Sequence, residues 1–240
     1  MESARGVLGA AILSAAAPPE QTEMSAATAP GSDGRQRCRW CLASAEYTAY
    51  HDAEWGFPVG DDQRLFEKLC LEGFQAGLSW RTILAKRERF RTVFRQFDIE
   101  RVARFTGRDV DRLLTDPGIV RHRGKIEAAV NNARRARELI QREGSLGAFL
   151  WRYEPEAQPR VLGSAVSVSA ESIALSKDLK RLGWRFVGPT TMYAFMQAMG
   201  LINDHAEACV IRAQAERARA KFRRPGATGT ARVRAARARP

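Results

Sequence analysis

The sequence predicts an all-α core, and three observations carry that prediction. Apolar residues recur at helical spacing through most of the chain. Ser and Asp stand where those stretches begin, and Gly or Pro-Gly where several end. Strand signals are weak: only "VLGSAVSVS" (161–169) alternates, and its Gly and Ser content favours a loop. No internal repeat of fixed period is visible.

The elements follow in order. "DDQRLFEKLCLEGFQAGL" (61–78) places Leu65, Phe66, Leu69, Cys70 and Phe74 on one stripe, with Asp61 or Asp62 as cap. Ser79 caps "WRTILAKRERFRTVFRQF" (80–97), which turns Ile83, Leu84, Phe90, Val93 and Phe94 inward. Asp98 caps "IERVARF" (99–105); "GRDVDRLLTD" (107–116) follows and breaks at Pro117-Gly118. "HRGKIEAAVNNARRARELIQREG" (122–144) reads as a long amphipathic helix ended by Gly144, and "SLGAFLWRY" (145–153) as a short one. Residues 154–170 read as a loop. Ser176 caps a restart in "SKDLKRLG" (176–183); "FVGPTTMYAFMQAMG" (186–200) and "DHAEACVIRAQAERARA" (204–220) close the core.

Three regions emerge: a disordered Ala/Ser/Pro/Gly leader over 1–36, a helical core over 37–216, and a disordered basic tail over 217–240. The leader contains a signal-like stretch, Arg5 to Pro19, but Glu2 offsets Arg5 and removes the basic start that a secretion signal needs. Met24 is an alternative start. No run approaches the roughly 18 apolar residues of a membrane helix. The formal charge is +12, and the tail holds nine Lys or Arg and no acid. Such an arm suits phosphate backbones, raising affinity without selecting sequence, although a solvated tail has the same composition.

"RCRWC" (37–41) opens the core with two cysteines at metal-knuckle spacing, yet no second pair follows. The histidines are His51, His122 and His205, and His205 stands four residues before Cys209, so on a helix the two would share a face. A closed zinc site needs four N or S ligands. Cys38 or Cys41, His51, His205 and Cys209 form a candidate set that would staple the start of the core to its last helix. A Cys38–Cys41 disulfide is the competing account.

Two glycine-centred turns join helices: "GIVRHRGKI" (118–126) and "RFVGPTTMYAF" (185–195). The second has the pattern of a helix-hairpin-helix, whose backbone N–H groups at a helix start grip a phosphate without reading sequence. Tight glycine turns also serve packing alone.

"YHDAEWGFP" (50–58), "LFEKLCLEGFQAGLSWRTIL" (65–84), "GIVRHRGKI" (118–126), "FVGPTT" (186–191) and "NDH" (203–205) occur in that order. Together they resemble the DNA-3-methyladenine glycosylase I (TAG) family over roughly residues 37–210. The resemblance implies an all-α helix-hairpin-helix DNA glycosylase fold with a structural Zn2+ joining the N- and C-terminal parts of the core. It implies Cys38, His51, His205 and Cys209 as ligands and leaves Cys41 without a role. It further implies a monomeric, cytoplasmic bacterial enzyme that acts on double-stranded alkylated DNA, without lyase activity and with no membrane association.

The implied reaction is hydrolysis of the N-glycosidic bond of 3-methyladenine. Alkylation makes the base cationic and a good leaving group, so the protein's tasks are flipping, recognition and stabilisation of an oxocarbenium-like sugar. The resemblance assigns Glu72 as the key carboxylate, Tyr50 as its neighbour and Trp80 as a stacking wall, with Trp40 and Tyr47 as further pocket aromatics. Glu72 near the end of an apolar stripe is a carboxylate that needs a partner. Leu78 resembles the apolar wedge that fills the gap left by a flipped base, and Gln75 and Gly77 share its turn. Gly188 and Thr190 would grip phosphate at the hairpin. His122 would do so with Arg121, Arg123 and Lys125. Trp55 would pack the zinc lobe, and Asp204 would orient His205 or pack locally.

Two other readings use parts of the same sequence. A zinc-stapled helix-hairpin-helix module without catalysis would need no Glu72, Tyr50 or Trp80. A redox or metal sensor would need Cys38 and Cys41 accessible.

Overall fold

The structure, a computed structural model, describes residues 27–156 and 167–226. A short ribbon, β1 (Thr28–Pro30) and β2 (Gln36–Cys38), pairs antiparallel with Thr28 opposite Cys38. The helices are α1 (Ala45–Ala53), α2 (Asp62–Gln75), α3 (Trp80–Ala85), α4 (Arg87–Val93), α5 (Ile99–Ala103), α6 (Gly107–Leu114), α7 (Arg123–Glu143), α8 (Leu146–Leu150), α9 (Ala170–Arg181), α10 (Pro189–Ala198) and α11 (Arg212–Lys221). None of the described helices is long and apolar enough to cross a membrane.

Helix α2 lies at the centre, against α3, α7, α8 and α10. Residues 68–74 are all buried, so this helix is enclosed on every side rather than along one stripe. Asp61 caps it through Arg64 N (2.8 Å), while Asp62 accepts from Leu146 N and Gly147 N and so caps α8 from a distance. Ser79 caps α3 and Asp98 caps α5, as the sequence indicates. Gly144, at φ 86°, ends α7.

Several expectations are corrected. The helix expected over 80–97 is broken at Lys86 and again after Val93, where Arg95, Gln96 and Phe97 all take positive φ. That reversal tucks Phe97 fully into the core, stacked on Phe94 at 5.3 Å. Ser176 is not a cap: α9 starts earlier, capped by Ser169, and the buried Ser176 hydroxyl donates to Val187 O at 2.6 Å. The strand-free core acquires a ribbon, and the chain is already structured from residue 27. Arg37 holds the ribbon by pairing with Asp33 inside it and Asp52 on α1. At the other end α11 runs past 216, Phe222 packs on Trp151 at 4.6 Å, and Arg219 and Arg224 both pair with Glu154. Residues 217–226 therefore belong to the core. The remainder of the expected leader and tail, and 161–166 of the alternating stretch, lie outside the described residues.

Candidate functional site

An acid–aromatic slot forms where α1, α2 and α3 meet. Glu72 on α2 is only 4% exposed, and the partner it needs is Lys68, one turn earlier, with Nζ 2.8 Å from Oε1. The Lys68 ammonium also donates to the Tyr50 hydroxyl (2.9 Å) and lies 3.2 Å from the centroid of the Trp80 ring. Tyr50 and Trp80 approach to 5.3 Å between centroids. Burial, with the Glu72 charge beside it, raises the Tyr50 hydroxyl well above its ordinary pKa, so it stays protonated. Burial lowers the Lys68 pKa against the opposing pull of Glu72. Tyr47, half-buried, also feels Glu72 and packs edge-on against Trp40 at 4.9 Å.

A Cys/His cluster adjoins the slot. Cys38, His51 and Cys209 present ligand atoms within 4.8 Å of one another, all buried. His205 is outside that cluster, but its ring lies 4.8 Å from that of His51. Asn203 Oδ1 engages His205 Nδ1 (2.7 Å), and His205 Nε2 is buried with no partner. Asp52 Oδ1 engages His51 Nδ1 at 2.7 Å, leaving His51 Nε2 facing Cys209 Sγ. Each ring is therefore held by one nitrogen, with His51 Nε2 facing Cys209 Sγ and His205 Nε2 buried without a hydrogen-bond partner. Burial first, then the His51 charge, pulls His205 down to about 4, so it is neutral near pH 7. The hydrogen bond from Cys38 pulls Cys209 well below its ordinary pKa and raises Cys38 in turn.

The route to this geometry differs from the one expected. His205 and Cys209 share no helical face; they sit in a turn, with Cys209 N bonded to Ala206 O, before α11 begins. It is Asn203 that holds His205, while Asp204 accepts from Tyr193 and Gln197. Trp55 packs on both imidazoles, at 4.6 Å from His205 and 6.1 Å from His51. Trp40 bridges the two regions, touching Tyr47 on one side and His51 and Trp55 on the other. Cys41 is fully buried, forms no disulfide, lies outside the cluster and is raised to about 11 by burial.

Three exposed features share one face. Leu78 is 44% exposed on the α2–α3 turn, beside Gln75 and Gly77. His122 caps α7 by accepting from Lys125 N. Gly188 caps α10, with Pro189 and exposed Thr190 following. Lys125 ties these together: its ammonium is not offered outward but bonds Phe74 O and Ala76 O at the end of α2. Arg123 pairs with Asp111 and Glu127. The left-handed residue of the hairpin is Phe186 (φ 55°), not Gly188 (φ −62°). Asn132 on α7 bonds both N and O of Arg185, and Ser176 holds Val187 O, so Phe186 is forced outward between two pinned neighbours. Its ring lies 6.3 Å from that of His122.

Helical core, pinned hairpin and buried acid–aromatic slot together define a helix-hairpin-helix glycosylase fold. Comparison with known proteins makes this specific. The model of the methyladenine glycosylase family matches residues 40–213. The DNA-3-methyladenine glycosylase 1 of Escherichia coli (strain K12) is 47% identical over 178 residues, spanning 72% of this chain and 95% of that one. The Haemophilus influenzae DNA-3-methyladenine glycosylase is 45% identical, spanning 72% and 96%. A Staphylococcus aureus TAG structure, which concerns 3-methyladenine recognition, superposes with a TM-score of 0.69 at 39% identity and covers 73% of this chain and 96% of that one. The chain belongs to the methyladenine glycosylase family.

Proposed function

We propose that this chain is a monofunctional DNA N-glycosylase that hydrolyses the N-glycosidic bond of 3-methyladenine in alkylated double-stranded DNA, acting as a monomer in the bacterial cytoplasm. The observation that carries the proposal is a buried carboxylate, Glu72, set beside a tyrosine hydroxyl and a tryptophan face. That combination suits a flat cation. A backbone-binding module has no use for it.

The turn bearing Leu78 and Gln75 wedges the duplex as the damaged nucleotide swings out. Backbone N–H groups at Gly188 and Thr190 hold phosphate, with His122 alongside. The nearest atom to a Cβ built at Gly188 is Thr191 Oγ1, at 3.9 Å, so the space there suits close approach by a backbone. Trp80 stacks on the base, Tyr47 and Trp40 wall the slot, and the protonated Tyr50 hydroxyl donates a hydrogen bond. Glu72 binds the cationic ring. As the sugar bond breaks its electron pair passes to the base, which leaves neutral, and the positive charge moves to the sugar beside the carboxylate. Water then adds to the sugar carbon and gives up a proton. No acid is needed for the leaving group, because the base already carries its charge.

Cys38, His51, His205 and Cys209 would hold Zn2+, and the buried, partnerless His205 Nε2 supports the fit. Two thiolates and two imidazoles would form a closed, structural donor set; the metal would supply cross-linking and no chemistry. Incubating the protein with methylated duplex DNA and chromatographing the released bases tests the function. Release of 3-methyladenine is expected; none from the wild type refutes it.

A further inference from the structure

We propose that Lys68 is a specificity-determining residue: its ammonium is a built-in cation that fills the base slot, so that a positively charged base displaces it more readily than uncharged adenine does. The inference rests on reading the slot as the base pocket.

One ammonium takes every feature that the slot offers a cationic purine. Lys68 Nζ lies 2.8 Å from Glu72 Oε1, 2.9 Å from the Tyr50 hydroxyl and 3.2 Å from the Trp80 centroid. A purine stacked on that face of Trp80 needs the place where Nζ stands. Nor can it slip between the rings: a flat ring held between two others needs about 7 Å, twice the ~3.5 Å carbon–carbon contact. The Tyr50 and Trp80 centroids are 5.3 Å apart.

Charge then decides which ligand enters. The groups acting on Lys68 are Glu72 on its own helix, Tyr50 and Glu54 from α1 and its end, Trp80 from α3 and Arg87 from α4. Glu54 is already paired with Arg87, so Glu72 is the carboxylate that Lys68 balances. An uncharged adenine that pushed Nζ aside would leave the buried Glu72 carboxylate without a cation, a costly state. A cationic base replaces charge for charge. A lysine suits this use better than an arginine, since its point charge rides on a flexible stem. The cleft that opens from Tyr50, Lys68 and Trp80 continues past Glu54 and Glu67, with Arg87 and Arg91 paired to those acids, and gives that stem somewhere to go.

The test uses full-length protein at pH 8 and free adenine, uncharged at that pH, followed by tryptophan fluorescence. Lys68→Met keeps length and flexibility without charge. Lys68→Gln keeps a donor to Glu72 and serves if the first variant folds poorly. Both are expected to bind adenine at least tenfold more tightly than wild type, whereas Lys68→Arg, which keeps a cation, shows no gain. Unchanged or weaker adenine binding in a folded Met or Gln variant overturns the proposal, because a merely structural lysine gives lost stability and no gained affinity. The wild-type release assay stands apart: if wild type frees 3-methyladenine and the variants gain nothing, the function stands and only the role of Lys68 falls.

Discussion

Gly56→Ala should damage the Cys/His centre without replacing any of the proposed ligands. Gly56 follows α1 with φ +83°, and a Cβ there would stand 2.6 Å from His205 Cε1 and 3.0 Å from Nδ1. The left-handed backbone costs a non-glycine residue about 1–2 kcal/mol. Moving the ring forfeits the Asn203–His205 hydrogen bond, about 1 kcal/mol more. The sum, about 2–3 kcal/mol, corresponds to a fall in Tm of roughly 5–12 °C for a chain of this size. Disturbing a ligand's orientation typically lowers metal affinity by about 10–100-fold. Gly77→Ala is the control: its φ is +77°, but nothing lies within 4 Å of the added Cβ, so it carries the backbone strain alone. Thermal melts with and without chelator, and zinc content after dialysis, read both effects. Gly56→Ala with wild-type zinc and melting, or Gly77→Ala losing as much zinc, would refute the reasoning.

Three further outcomes are expected. Cys41→Ser should retain zinc, since Cys38 rather than Cys41 joins His51 and Cys209 in the cluster; lost zinc, measured by elemental analysis, would make Cys41 a ligand and displace one of the four proposed. Metal-free protein should lose stability as pH falls from about 6.5 to about 4: His205 resists protonation when folded but takes a proton when unfolded. The effect is on the order of 3 kcal/mol, and melts that stay flat over that range contradict it. Deleting residues 227–240 removes four arginines and leaves α11, Phe222 and Arg224 in place. DNA affinity should then fall and its log–log salt slope flatten by up to about 3–4, whereas an unchanged slope excludes phosphate contacts from that segment.

Much of this was legible in the sequence, for identifiable reasons. Helix α7 announces itself because one period of 3.6 holds along its 21 residues, and α2 because its cap is local. A candidate set of Cys38 or Cys41 with His51, His205 and Cys209 was reachable from ligand chemistry, since few residues of those types exist in the chain; the structure brings Cys38, His51 and Cys209 together. Its local geometry was not: H-x-x-x-C spacing implies a helical face, but the pair sits in a turn held by Asn203 and by packing against Gly56. The ribbon was missed because its determinant, Asp33–Arg37–Asp52, joins a polar segment to a distant helix. Lys68 carried a signal that went unused. It stands four residues before Glu72, a carboxylate near the end of an apolar stripe that needs a partner, and that spacing alone nominates it.

The central claim is that Glu72 grips a cationic base within the slot. Single-turnover release of 3-methyladenine from methylated duplex DNA, wild type against Glu72→Gln, addresses it most directly. The substitution keeps shape and removes charge, so release should slow by about 100-fold or more, the scale on which electrostatic partners of a transition state act. DNA affinity should change little, because Glu72 is buried and carries no phosphate contact. A Glu72→Gln protein that releases the base at the wild-type rate would contradict the account.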